Sequence, residues 1–168
     1  MNTFRKFEEK DSDILWGLVD RDLNAVPTSW PKHKEHFYDW LMSGLPDEMP
    51  SKYIVEFNDE IAGVVSVDFI NENNIHNYQM AKVGDANVSY MTLPTFAGKG
   101  VATFALQEIS QILEQANVDP LLRIAIWNKA SEKVAEKCGF IKCDADVVVQ
   151  DFFDEEPTIL NVYRKQKN

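Results

Sequence analysis

The densest chemistry in the chain lies between Ser89 and Thr103, in the run Ser-Tyr-Met-Thr-Leu-Pro-Thr-Phe-Ala-Gly-Lys-Gly-Val-Ala-Thr. It reads as a strand stopped at Pro94, a tight turn holding Gly98 and Gly100, and a helix N-terminus. That arrangement suits an anion. Free backbone N–H groups converge there with the positive end of the helix dipole, and glycine lets a ligand approach the backbone. Lys99 adds one movable positive charge. A nucleotide-type P-loop requires Gly, four residues, then Gly-Lys-Ser/Thr. With Gly98-Lys99 in frame, Leu93 stands where the first glycine belongs and Gly100 where the hydroxyl belongs, which argues against that reading.

A second informative segment runs from Leu121 to Phe140. It begins as a nearly all-apolar strand over 121–127 and passes through Asn128 into a short helix over 129–137, closed by Gly139. The two segments together resemble the GCN5-related N-acetyltransferase (GNAT) superfamily, and within it the RimJ/RimL-type branch of ribosomal-protein N-terminal acetyltransferases. The glycine turn is similar to the family's Arg/Gln-x-x-Gly-x-Gly/Ala pyrophosphate loop, with Gly100 and Ala102 in its last two defined places. Asn128, Ser131, Lys137, Gly139 and Phe140 resemble the branch's Asn-x-x-Ser helix and its Lys-x-Gly-Phe ending.

The resemblance implies acetyl-CoA as co-substrate, with no metal, and an acetyl group passed to a primary amine by direct attack on the thioester. It assigns the pyrophosphate to residues Ala97, Gly98, Lys99, Gly100, Val101, Ala102 and Thr103. A backbone N–H of Met91 or Leu93 would polarise the carbonyl, and Asn128 would hold the pantetheine arm. Ala97 replaces the family's usual Arg or Gln, so one charged contact is missing from an otherwise backbone-built cradle. Val134 stands in the region where many members carry a tyrosine that protonates the leaving thiolate. That role falls instead to Ser131, whose competing reading is a simple helix-start residue. For the general base Asp68 is the first choice, sharing a strand face with Ser66, and Glu56, Asp85 or a water chain are the alternatives. The acceptor stays open between a protein N-terminus and a small-molecule amine, although the acidic balance favours a cationic one by long-range attraction. A CoA-binding sensor or interaction module without turnover is the alternative function. Dimers are common in the branch, and the late strands with the Trp30–Trp40 segment suggest an apolar surface for a homodimer.

The elements that must position these residues follow from periodicity. A short strand is expected over 2–7 and a helix from Asp11 or Ser12 to about Leu23, with Ile14/Leu18 and Leu15/Val19 on its core face. Ser29-Trp30-Pro31 marks a second helix start, Phe37, Trp40 and Leu41 its stripe, and Gly44 its stop. Residues 53–57 and 60–70 form a hairpin about Asn58-Asp59. Its second strand should place Ile61, Gly63, Val65, Val67 and Phe69 on one face and Ala62, Val64, Ser66 and Asp68 on the other. A loop covers 71–85, a strand 86–93, a helix 98–116, and two strands at about 140–150 and 158–165 finish the chain. The expected fold is mixed α/β, in one domain over 1–168. A central, mostly antiparallel GNAT-like sheet of about seven strands should carry helices on both faces. The acceptor pocket is expected from 24–50, 71–85 and 141–157.

The 168 residues carry a net charge of −10, with 45% hydrophobic and 26% charged residues, the profile of a folded soluble domain. A nucleic-acid backbone would be repelled by such a surface. Apolar runs fall far short of the roughly 20 residues of a membrane span. The N-terminus has no signal-like core, so a cytoplasmic location is expected. Cys138 and Cys143 read as reduced thiols, and His33 and His36 lack a third ligand for a metal.

Overall fold

The computed structural model describes residues 1–19, 30–43, 50–78, 80–150 and 156–166. The elements are β1 (Asn2–Lys6), α1 (Ser12–Val19), α2 (Lys34–Met42), β2 (Lys52–Phe57), β3 (Glu60–Phe69), β4 (Ala86–Thr92), α3 (Val101–Gln115), β5 (Pro120–Ala125), α4 (Lys129–Lys137), β6 (Phe140–Val149) and β7 (Thr158–Lys165). The strands form a seven-stranded sheet in the order β1-β2-β3-β4-β5-β7-β6. Every neighbour pair is antiparallel except β4–β5. The mixed α/β class and the order of elements match the expectation.

The helix pairs divide between the faces because each strand alternates its side chains. Leu15, Phe37 and Leu41 of α1 and α2 pack with Ile54, Val64 and Met91 on one side. Val101, Leu106 and Ile109 of α3 pack with Val65, Val67 and Val88 on the other. Two boundaries differ from expectation. Trp30 is buried at 1% exposure and its indole N–H donates to Ser89 Oγ at 2.7 Å, which ties the chain to the sheet. The backbone therefore stays extended through His33, and α2 starts at Lys34 rather than Pro31. That burial also removes Trp30 from any dimer-forming surface. The strand expected to reach Trp127 ends at Ala125, where Asn128 N–H turns back to the Ala125 carbonyl. The expected α1 end at Leu23, the Ser29 start and the Gly44 stop lie outside the described residues.

A bulge sets the geometry around the site. Val55 pairs with Gly63 but Glu56 pairs with Ile61, so Ala62 is the extra residue on β3. It swaps the faces expected for positions 61 and 62: Ile61 joins the α1/α2 core and Ala62 the α3 core. A Cβ on Gly63 would lie 2.8 Å from the Met91 carbonyl oxygen and 3.3 Å from Val101 Cγ1. Glycine is required there because β4 and the first residue of α3 both close on it. Gly63→Ala should force those backbones apart and cost about 1–3 kcal/mol, as overpacking does. Urea unfolding of the variant measures this, and a stability equal to wild type would show that the contact yields freely.

Candidate functional site

The parallel pair β4–β5 is joined only at Ala86↔Pro120 and Asn87↔Leu121. On its other edge β4 stays paired with β3 through Thr92, and β5 is paired with β7 through Ala125. From Val88 onward the two strands therefore separate into a notch whose walls are unladdered strand edges. Direction along a strand alternates, so one polar group fixes the rest. Ala86 N–H donates towards β5, to the Asp119 carbonyl, which turns Val88, Tyr90 and Thr92 to the notch. Leu93 N–H donates the other way, to the Ala62 carbonyl at 2.8 Å, and the Met91 carbonyl faces Gly63. The expectation that Met91 or Leu93 offers an N–H to a ligand is thus corrected. Those two face β3, and Tyr90 and Thr92 carry the free edge.

At the open end of the notch the chain makes a short turn over Pro94–Phe96, with Ala97 N–H bonded to the Pro94 carbonyl at 3.1 Å. Gly98 and Gly100 both take φ of 76°, in the left-handed region. Gly100 is the N-cap of α3 and no side chain caps that helix. The N–H groups of Val101, Ala102 and Thr103 therefore point out of the helix end without an intrahelical acceptor. A Cβ built on Gly100 would meet no protein atom within 4 Å, so the space above the turn is open. Lys99 Nζ lies 5.6 Å from the centre of the Phe57 ring, at the side of this turn.

Across the notch, Asn128 is the N-cap of α4, and its Oδ1 accepts the Ser131 N–H at 3.2 Å. Ser131 Oγ lies 2.7 Å from the Tyr90 hydroxyl. Burial pushes the Tyr90 phenol up to about 12, partly offset by its bond to Ser131. It is a protonated hydroxyl at neutral pH. Sequence reasoning missed Tyr90. Its signal was a tyrosine alternating with buried Val88, because a buried phenol needs a polar partner.

The other sheet face carries a cavity of about 690 Å³ whose walls include Trp30, Trp40, Lys52, Asp68, Asn87 and Arg123. Asp68 is exposed to it and accepts a hydrogen bond from the Tyr78 hydroxyl. The two alternative acids are engaged elsewhere. Glu56 pairs with Arg5 Nε at 3.0 Å beside β1, and buried Asp85 pairs with Arg164 at 2.7 Å while accepting the Lys82 N–H. Segments 24–50, 71–85 and 141–157 do contribute Trp30, Trp40, the Asn71–Tyr78 turn and Gln150. The floor, however, comes from β2 to β5, which the sequence did not suggest. Arg123 and Lys52 are the cations there.

The acetyltransferase (GNAT) domain family matches residues 3–141, most of the chain. The chain is a GNAT-family N-acetyltransferase. The family takes its acetyl group from acetyl-CoA. Solved structures share the fold of this N-acetyltransferase. RimL, a ribosomal L7/L12 α-N-protein acetyltransferase, aligns at a TM-score of 0.74 and 18% identity, over 99% of this chain and 90% of that one. A chimera of the spermidine N-acetyltransferase SpeG from Vibrio cholerae with hSSAT aligns at 0.71 and 17%, over 98% and 94%. The yncA protein of Salmonella typhimurium, solved with its cofactor acetyl-CoA, aligns at 0.71 and 14%, over 99% and 95%. No curated protein matches the sequence of the enzyme at a significant level. No helix among the described residues is long and apolar enough to cross a membrane.

Proposed function

We propose that this N-acetyltransferase holds acetyl-CoA in the β4–β5 notch and acetylates a primary amine presented from the cavity on the opposite sheet face. The carrying observation is the notch itself, an open pair of strand edges leading to an uncapped, glycine-lined helix end. The residues fit the group. The helix end with Gly98 and Gly100 offers N–H groups and open space for a pyrophosphate, and the free edge of Tyr90 and Thr92 offers β-type pairing to an amide-bearing arm. Bound acetyl-CoA supplies an activated acetyl thioester.

The chain's residues would do the rest. The N–H of Tyr90 or Thr92 is placed to polarise a carbonyl in the notch. Asp68, the carboxylate that opens to the cavity, takes the amine's proton directly or through water. Ser131 gives a proton to the departing sulfur, with Tyr90 as its neighbour. With the Tyr90 hydroxyl as donor to Ser131 Oγ, the serine proton would be left for the notch. This makes Tyr90 a positioning residue. The Asn128–Ser131 helix supports placing the enzyme in the RimJ/RimL-type branch.

Gly100→Val tests the cradle. A branched Cβ would occupy the open space above the turn and strain a left-handed residue. CoA affinity measured by calorimetry should fall at least about tenfold, a loss of roughly 1.4 kcal/mol. An unchanged affinity in the folded variant would remove the pyrophosphate from this turn. Thiol release from acetyl-CoA with a panel of amines tests turnover, and binding without release for any amine would favour a sensor.

A further inference from the structure

The cavity on the acceptor face holds a buried ammonium in an acidic chain. The whole sequence carries −10. Yet among the described residues the ionised groups lining the cavity are two cations, Lys52 and Arg123, and one carboxylate, Asp68. The cations sit on strands at either side. Arg123 on β5 stacks over the Tyr78 ring at 4.7 Å, and Lys52 on β2 lies over the Trp40 ring at 4.7 Å.

Lys52 is the unusual one. It is 5% exposed, and among the described residues its Nζ bonds only the Ser51 hydroxyl, at 3.1 Å. No carboxylate among the described residues lies within ion-pair distance of it. A buried ammonium without a direct ion pair is unfavourable unless a nearby group supplies negative charge. Burial pulls its pKa down to about 8, with Asp68 acting against that. A second buried group is also unmatched. Asn87 is 6% exposed, lines the same cavity, and its Oδ1 accepts no hydrogen bond. The ladder places Asn87 directly opposite Asp68, so the two share a face. The central strands β3 and β4 therefore offer acceptors for an N–H-bearing group, and β2 beside them carries the buried Lys52 ammonium.

We propose that the acceptor is of the amino-acid type: a primary amine that also carries a carboxylate or comparable oxyanion. Its amine faces Asp68 and Asn87, and its anion faces Lys52. This rests on the reading of the cavity as the acceptor site. It reverses the expectation from net charge, because a polyamine meets the buried Lys52 ammonium at short range whatever the distant field does. A long-range potential is screened beyond about 8–10 Å at ordinary salt, whereas a buried charge is not. A protein N-terminus, whose neighbouring carbonyl is an uncharged amide, leaves Lys52 without a counter-ion.

The test uses the full chain and matched pairs that differ by the carboxylate. The pairs are L-phenylalanine against phenethylamine and 6-aminohexanoate against hexylamine, with spermidine and a tripeptide amide alongside. Thiol release at saturating acetyl-CoA should give at least one acid a kcat/KM about tenfold or more above its partner. In Lys52→Met that preference should shrink to within about threefold through loss of the acid, while Lys52→Arg retains it. Intrinsic fluorescence gives a readout free of turnover and co-substrate, because Trp30 and Trp40 line the cavity. The preferred acid should perturb it in wild type and not in Lys52→Met. Equal or better turnover of the plain amines, spermidine or the tripeptide amide overturns the proposal. So does acetyl-CoA binding by calorimetry with no acid changing the fluorescence. Failure of acetyl-CoA to bind at all overturns this proposal together with the function it rests on.

Discussion

Ser131→Ala is expected to lower kcat by about 10²-fold with the best amine, the usual share of a positioned acid. The dissociation constant of CoA should move only a few-fold. Negative charge gathers on sulfur only as the thioester bond breaks, so a hydroxyl aimed at it acts on the transition state more than on the bound ground state. Tyr90→Phe should have a smaller effect, about fivefold in kcat, because it removes one hydrogen bond to the serine rather than the proton donor. Rescue of Ser131→Ala by Ser131→Thr, which restores a hydroxyl, would separate the acid from a helix-start role. Asn128→Ala should act on the other quantity and mainly weaken CoA binding. It should also lose about 1 kcal/mol of α4 capping, since its Oδ1 holds the Ser131 N–H. Steady-state kinetics paired with calorimetry on the four variants decide the matter. Full kcat in Ser131→Ala would leave the proton to solvent.

The glycine turn and the Asn128–Ser131 helix were legible in the sequence because their chemistry is local. A glycine pair before a helix and a capping side chain three residues from its partner need no tertiary knowledge. The sheet was legible for a similar reason, since alternation along β3 and β4 follows from the pleat. What escaped depends on contacts between distant segments. The bulge at Ala62 shows only against β2, and it moves Ile61 and Ala62 to opposite faces. Which edge of β4 faces the notch depends on Leu93 being bonded to Ala62 rather than to β5. The expectation therefore named Met91 and Leu93, one residue out of phase with Tyr90 and Thr92. Tyr90 and Ser131 are 41 positions apart and meet only because α4, following β5, packs beside α3 on the sheet face that carries Tyr90. Lys52 reads in sequence as an ordinary solvated charge at the start of a strand. Nothing local shows that Trp40 and the neighbouring strands bury it. Net charge is a property of the whole surface and carries little information about one enclosed site.

Burial of Lys52 has a consequence for stability that is as large as any catalytic effect. Its pKa falls from 10.5 to about 8 in the folded chain. Below pH 8 both folded and unfolded forms carry the proton, and the folded form bears the full penalty of the buried charge. Between about 8 and 10.5 the unfolded chain keeps the proton while the folded chain releases it, so this group makes stability rise with pH across that window. A tenfold loss of proton affinity corresponds to about 1.4 kcal/mol, which puts the penalty near 3 kcal/mol at pH 7. Contact with the Trp40 ring and the Ser51 hydroxyl returns part of it. Lys52→Met keeps the apolar stem and removes the charge, so it should stabilise the free enzyme by about 2–3 kcal/mol at pH 7. The gain should shrink steadily towards pH 10, and wild type alone should show the Lys52 share of the rise. Urea unfolding of both proteins at pH 7, 8, 9 and 10 measures this. A Lys52→Met variant less stable than wild type at pH 7 would mean that the ammonium holds the fold together through Trp40. The expected result means the opposite. A charge that weakens the empty protein by this much is accounted for by the ligand it meets, and a carboxylate bound beside Lys52 should raise its pKa again and narrow the stability gap between the two proteins.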